Sequence, residues 1–188
     1  MTLSLRQDRD KYWTYQDYLS LPDDGKRYEI IEGVLYVSPS PLSLHQLLSK
    51  RLQFFLYQFE LEGQGYVYDA PLDVHLPDCT PVQPDLIYLT REQRSLIQER
   101  GIFGPPHLLV EILSPGTRSL DRVKKLNKYA AAGVPNYVLV EPEASILEWL
   151  QLDGHGYRLA QSLGQEDTWT FQGKSLPLSD LFAELPET

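Results

Sequence analysis

The chain has 188 residues, 42% apolar and 23% charged, with 17 basic against 26 acidic side chains and a formal net charge of −9. That length fits one domain with a real core; no apolar run approaches the roughly 18 residues of a membrane helix, and the N-terminus carries no secretory apolar segment. The lone Cys79 excludes an internal disulfide and a cysteine-based zinc cluster, so a reducing cytoplasm is the expected compartment and Cys79 reads as a small loop residue.

The acidic balance argues against a broad polyanion-binding surface, which relies on Lys and Arg to neutralise phosphates. A divalent cation in a carboxylate site would invert the local potential, so charge lowers the case for nucleic acid without closing it. Residues 1–10 are polar and read as loose. Thr14 is placed to cap a short helix through Leu19, ended by the turn Leu21-Pro22-Asp23-Asp24-Gly25. From Arg27 the spacing turns strand-like, with Tyr28, Ile30 and Glu32 on one face; Gly33 allows a turn and Val34 to Val37 return, a hairpin with an acid at its bend.

Ser38-Pro39-Ser40-Pro41 is a hinge into a long amphipathic helix from Leu42 to Glu60, on which Leu44, Leu47, Leu48, Leu52, Phe55, Leu56 and Phe59 recur at three- and four-residue steps. His45 lies in its first turn, and Gly63 and Gly65 end it. Strands are expected from Tyr66 to Leu76 and from Val82 to Leu89, then a short surface helix from Arg91 to Arg100. Leu108 to Leu113 is apolar except for Glu111 and reads as a central strand. Ser119 is placed to cap a helix that stops at Gly133. A strand from Val134 to Glu141, a hairpin of residues 145–162 turning at Asp153-Gly154-His155-Gly156, and a closing strand and helix complete the chain.

Two acids stand where a buried strand favours none. A carboxylate inside an apolar strand needs a partner or a metal, and Asp85 and Glu111 are both so placed, on consecutive strands. Mg²⁺ is typically held by one or two carboxylates plus waters and phosphate oxygens, a geometry that two acids on adjacent strands supply. Pro-Asp occurs at 22–23, 77–78 and 84–85, but only Pro84-Asp85 opens an apolar strand. On a 3.6-residue wheel Arg122, Lys125, Leu126 and Tyr129 share a stripe, with Lys124 and Lys128 on the other side. If Leu126 and Tyr129 pack on the sheet, Lys125 points toward Glu111, and Asp121, four residues earlier, is spaced to fix it.

Taken in order, Pro84-Asp85, Val110-Glu111-Ile112-Leu113-Ser114-Pro115, Thr117-Arg118, Asp121-Arg122, Lys125, Tyr129 and Gly133-Val134-Pro135-Asn136-Tyr137 closely resemble the Uma-type endonuclease family of the PD-(D/E)XK restriction-endonuclease-like superfamily. The likeness extends back through Tyr28-Glu29-Ile30-Ile31-Glu32-Gly33 and His45-Gln46. It implies a single α/β restriction-endonuclease-like domain, a mixed central β-sheet flanked by helices. It also implies Mg²⁺, or Mn²⁺, on Asp85 and Glu111, and a lysine assisting the attack of water on a nucleic acid, DNA above all. Two residues after Glu111, where the superfamily pattern has its lysine, stands Leu113; the Uma-type pattern supplies the lysine from the following helix, which maps to Lys125.

Glu32 is a candidate third ligand or orienter of the metal water, against an ordinary acid at a Glu-Gly turn. His45 is a candidate phosphate contact or proton shuttle, against a surface polar residue. Asp73 is a weaker candidate, and His75, His107 and His155 have no spacing that makes a ligand set. Trp149 and Leu147 on the 145–162 hairpin are candidate contacts for a homodimer. No phosphate-binding glycine loop and no Gly-x-Ser-x-Gly elbow is present, which disfavours nucleotide-dependent and acyl-transfer chemistry. The rival readings are a catalytically inactive binding or assembly module on the same fold, and a metal-dependent hydrolase of smaller phosphate esters.

Overall fold

A computed structural model of the chain describes residues 11–185 except Asp23, Pro39, Asp78, Cys79 and His155. The expectations for residues 1–10, Cys79 and His155 lie outside the described residues.

Helix α1 (Tyr15–Tyr18) starts at Thr14, whose side chain and that of Asp17 cap each other's backbone. Strands β1 (Arg27–Ile31) and β2 (Val34–Ser38) form the expected hairpin, turning at Glu32 and Gly33, both at positive φ. Helix α2 (Ser43–Leu61) buries Leu48, Leu52, Phe55, Leu56 and Phe59. The expected strand from Tyr66 to Leu76 is instead two: β3 (Gly65–Asp69) and β4 (Val74–His75), parted at Pro71, which has no N–H for a ladder. The next expected strand is likewise split by Pro84 into β5 (Pro81–Val82) and β6 (Leu86–Thr90).

Residues 91–100 do not make a surface helix: a 3₁₀ turn over Arg91–Leu96 leads into β7 (Ile97–Gln98) and β8 (Gly101–Phe103). Strand β9 (Leu108–Ile112) is buried along its whole length. After it, the chain winds through a widened π-type turn, Leu120–Lys125, into α3 (Leu126–Ala132), which ends on left-handed Gly133 as expected. Ser119 is not a cap: it is already helical and makes no capping bond, and the turn is tied by hydrogen bonds between Ser114 and Thr117. Strands β10 (Asn136–Glu141), β11 (Ile146–Asp153) and β12 (Gly156–Leu163) follow, then the hairpin β13 (Thr168–Phe171) and β14 (Lys174–Pro177) and the short α4 (Leu178–Leu181).

The central sheet is mixed, in the order β12-β11-β10-β9-β6-β3, with β9 parallel to β10 and every other pair antiparallel. Alternation sorts each strand between two cores. Leu108, Val110 and Ile112 face α2, α4 and the β13–β14 hairpin, alongside Leu86, Tyr88, Val138, Val140, Trp169 and Phe171. Leu109 and Leu113 point the other way, into a core with Ile87, Leu89, Tyr129, Tyr137 and Leu139. Glu111 stands between them on that second face. On the hairpin, Leu147 is fully buried, and Trp149 packs on Trp169 and Phe171 and donates Nε1–H to Asn136. Leu147 is therefore core and not an exposed contact, whereas Trp149 is half-buried at the edge of that core.

Candidate active site

The antiparallel register Leu86↔Val110 continues one step outward to set Asp85 across from Glu111. The backbone N–H of Ile112, next to Glu111, donates to Asp85 Oδ2 at 2.8 Å, so one bond locks the two acids together. His45 Nε2 meets the same oxygen at 3.0 Å, and the Arg27 guanidinium donates to Oδ1 at 3.0 and 3.1 Å. Burial works against ionisation of Asp85, but the hydrogen bond and charge of His45, then Arg27 and the Ile112 amide, hold its pKa at about 2.

Glu111 has a different environment. Its Oε1 accepts from Lys125 Nζ at 3.0 Å and from Tyr129 Oη at 2.8 Å. The same ammonium lies 2.9 Å from Glu29 Oε1 and 3.4 Å from Asp121 Oδ1, the latter an ion-pair contact rather than a hydrogen bond. Lys125 is only 3% exposed. Burial opposes its charge, yet Glu111, Glu29 and Asp121 raise its pKa well above the lysine range, so it persists as an ammonium. Burial, together with crowding by Asp121, Asp85 and Glu29, raises Glu111 well above the carboxylate range against the pull of Lys125.

Asp85, Glu111, Lys125 and His45 thus line one cleft of about 720 Å³. Glu32 does not: its side chain is 63% exposed on the hairpin turn and pairs with Lys124 at 2.8 Å. The acid the hairpin does contribute is Glu29, buried in the middle of β1 and fixed by the Gln83 N–H at 2.8 Å. The rule that singled out Asp85 and Glu111, an acid inside an apolar strand, applies equally to Tyr28-Glu29-Ile30-Ile31. The face that matters is Arg27, Glu29 and Ile31, opposite the one the alternation first drew attention to. The π-type turn also shifts the helix stripe: Asp121, Lys125 and Tyr129 are buried at four-residue steps, with Ala130 beside Tyr129. Arg122, read as part of that stripe, turns away to Glu141 and Glu148.

For a hard dication the donor chemistry fits. Four buried carboxylates, Glu29, Asp85, Glu111 and Asp121, face two permanent cations, Arg27 and Lys125, and burial first, with the neighbouring acids adding to it, raises the proton affinity of Glu111 and Asp121. Among the described residues no three His, Cys, Asp or Glu side chains gather into a ready-made ligand cluster. The fit is therefore of two carboxylates with water completing the shell, the Mg²⁺ style of binding. Asp85 would have to exchange one of its present partners for the ion.

The Uma2 family, described as "Putative restriction endonuclease", matches residues 15–179 of this chain. The chain belongs to that family. Among solved structures it is similar to one described as "a putative nuclease belonging to DUF820" from Anabaena variabilis, at 17% identity and a TM-score of 0.76, covering 93% of this chain and 99% of that one. That likeness is one of fold. No curated protein matches the chain, and no helix among the described residues is long and apolar enough to cross a membrane.

Proposed function

We propose that the protein is a Mg²⁺-dependent endonuclease that hydrolyses phosphodiester bonds of nucleic acid, with DNA as the substrate and Mn²⁺ as a substitute ion. One observation carries the reading: Asp85, Glu111 and Lys125, drawn from two strands and the following helix, line a single open cleft with their carboxylates and ammonium interlocked. Asp85 and Glu111 would hold the ion, which when bound polarises the phosphate and supplies a water of lowered pKa.

The roles of the chain's own groups follow from their contacts. Lys125 donates and does not accept, because three carboxylates hold its proton; it orients the attacking water and balances charge at phosphorus rather than acting as the base. Glu29 and Asp121 keep that ammonium in place. His45 stands at the cleft wall with Nε2 on Asp85 and Nδ1 without a partner, placed to contact a phosphate or pass a proton.

Cleavage of labelled DNA with Mg²⁺ or Mn²⁺ tests the reading. Asp85→Asn, Glu111→Gln and Lys125→Ala are each expected to lower the rate by at least about 10²-fold, the scale on which loss of one transition-state contact acts. Activity that survives all three substitutions sinks the mechanism. A second reading, a binding module without turnover, is favoured by the engagement of both Asp85 oxygens by Arg27, His45 and Ile112. Calorimetry with Mn²⁺ separates the two: the nuclease loses a binding site on Asp85→Asn, and the module has none to lose.

A further inference from the structure

A second cleft, of about 780 Å³, opens on the other side of Asp85 and shares Arg27, His45 and Asp85 as a common wall with the first. Its volume falls in the range of about 300–1,000 Å³ typical of small-molecule pockets. Its polar lining is a connected set. Tyr18 Oη donates to the Asp73 carboxylate at 2.7 and 2.9 Å, and Gln83 Nε2 donates to Asp73 Oδ1 at 2.8 Å. Gln83 is only 9% exposed, and its Oε1 acceptor has no hydrogen-bond partner. Buried polar atoms without partners are uncommon, and two more occur at the shared wall, Nε of Arg27 and Nδ1 of His45.

The remaining surfaces are aromatic and weakly basic. The Tyr15 and Tyr18 rings lie nearly parallel, 6.3 Å apart, and both line the cleft. Arg100 is exposed at its rim, whereas Lys26 is closed onto Asp24. A carboxylate and an amide side by side are hydrogen-bonding groups for the edge of a nucleobase, and tyrosine rings supply a stacking surface that every base can use. In an intact duplex the base-pairing edges are already taken and the bases are stacked, so a concave polar lining of this kind reads a base that has left its partner. The net charge of −9 points the same way: a body this acidic has few cations for a long duplex footprint, and a short site needs few.

We propose that this second cleft is a subsite for one unpaired nucleotide of the strand whose phosphate lies at Asp85 and Glu111, so that single-stranded or locally opened nucleic acid is preferred over intact duplex. The inference rests on the phosphodiester reading above. Asp73 and Gln83 hold the base edge, Tyr15 and Tyr18 pack against it, and Arg27 and His45 bridge the two clefts at the phosphate.

The test is fluorescence anisotropy in EDTA, with a 5′-labelled 12-nucleotide single strand and a blunt hairpin duplex of the same sequence as probes. The full chain is expected to bind the single strand at least tenfold more tightly than the duplex. Asp73→Asn, which turns an acceptor into an amide, and Tyr15→Leu are each expected to weaken single-strand binding at least fivefold, with thermal melts confirming that both variants fold. A scan of single abasic substitutions should find one position where affinity falls by a similar factor. Equal affinity for the two probes, unchanged binding by both variants, or a flat abasic scan overturns the subsite. A nucleoside monophosphate that displaces the strand at a concentration equal to the strand's own Kd would make the cleft a free-nucleotide site and equally overturn it. Cleavage assays on the same two probes with Mg²⁺ keep the readings apart: absence of cleavage by the unaltered protein removes the nuclease, while the binding preference reports on the subsite alone.

Discussion

The two faces of the central sheet are built from the same strands and solve different problems. On the face under α2, Leu108, Val110 and Ile112 meet Leu48, Leu52, Phe55 and Phe59 in a core with no charged member. On the other face the position between Leu109 and Leu113 is Glu111, and the helical segment above it brings Lys125, Asp121 and Tyr129 alongside Leu120 and Leu126. The first face is stabilised by apolar area removed from water, which is generic in its partners. The second adds to its own apolar core a buried ionic cluster in low dielectric, where each charged group is stable only while its neighbours are present. Both faces bury apolar area, and the candidate site lies on the second.

The largest break in that comparison is Lys125→Met. It keeps the packing volume but leaves Glu29, Glu111 and Asp121 buried without their shared ammonium, and removal of one partner from a buried ion cluster costs roughly 3–5 kcal/mol. Urea unfolding should show that loss at pH 8 and a smaller one at pH 5, because the orphaned carboxylates can then take up protons in the folded state. On the other face, Leu52→Ala is expected to cost about 2–5 kcal/mol through lost burial and a residual cavity. That loss should be similar at both pH values, since the core around Leu52 is apolar apart from Tyr88, whose pKa burial raises above the usual tyrosine value so that it stays neutral at both.

The two central acids should also titrate in opposite senses. Asp85 has a folded pKa of about 2 against 3.8 for the free side chain. Its contribution, about 2 kcal/mol by linkage, is complete above pH 3.8 and is lost as pH falls toward 2. Glu111 is raised instead, so its contribution is present below its ordinary value of 4.5 and lost as pH rises through the folded pKa. Stability measured by denaturant from pH 2 to 8 should therefore lose part of its acid limb in Asp85→Asn. The decline on the neutral side should flatten in Glu111→Gln.

How much of this was legible in the sequence follows from which rule each residue obeys. The stripe of α2, the β1–β2 and β11–β12 hairpins, Gly133 and the central strand with its acid were all readable, because periodicity and turn chemistry are local. Asp85, Glu111 and Lys125 were readable as outliers against an apolar background and as a family pattern. Glu29 obeyed the same outlier rule but lay in a hairpin read for its turn, where Glu32 drew the attention. The two strands split by Pro71 and Pro84, and the π-type turn, were not readable. The first depends on which sheet each half joins, and the second on the demand that Lys125 and Tyr129 both reach Glu111 while Asp121 faces Lys125. The exposure expected of Leu147 went wrong for a related reason: hairpin spacing does not reveal that the β13–β14 hairpin covers that face.

The finest distinction between the two faces lies in a single hydroxyl. Tyr129 is fully buried against Tyr137 in the second core, and its ring would serve equally well in the first. Only its Oη, 2.8 Å from Glu111 Oε1, belongs to the charged cluster. Tyr129→Phe keeps the ring and removes that donor, leaving Lys125 Nζ donating to Glu111 Oε1 at 3.0 Å. A hydrogen bond to a charged acceptor contributes about 1.5–3 kcal/mol, less where a second donor remains, so a loss of about 1–2 kcal/mol is expected in urea unfolding. If Glu111 holds the ion, a carboxylate with one fewer donor is the stronger ligand, and Mn²⁺ affinity measured by calorimetry should stay level or rise. A fall in both stability and affinity would mean that the hydroxyl positions Glu111 for the ion, and the second face would then be a site preorganised by its tyrosines as well as by its charges.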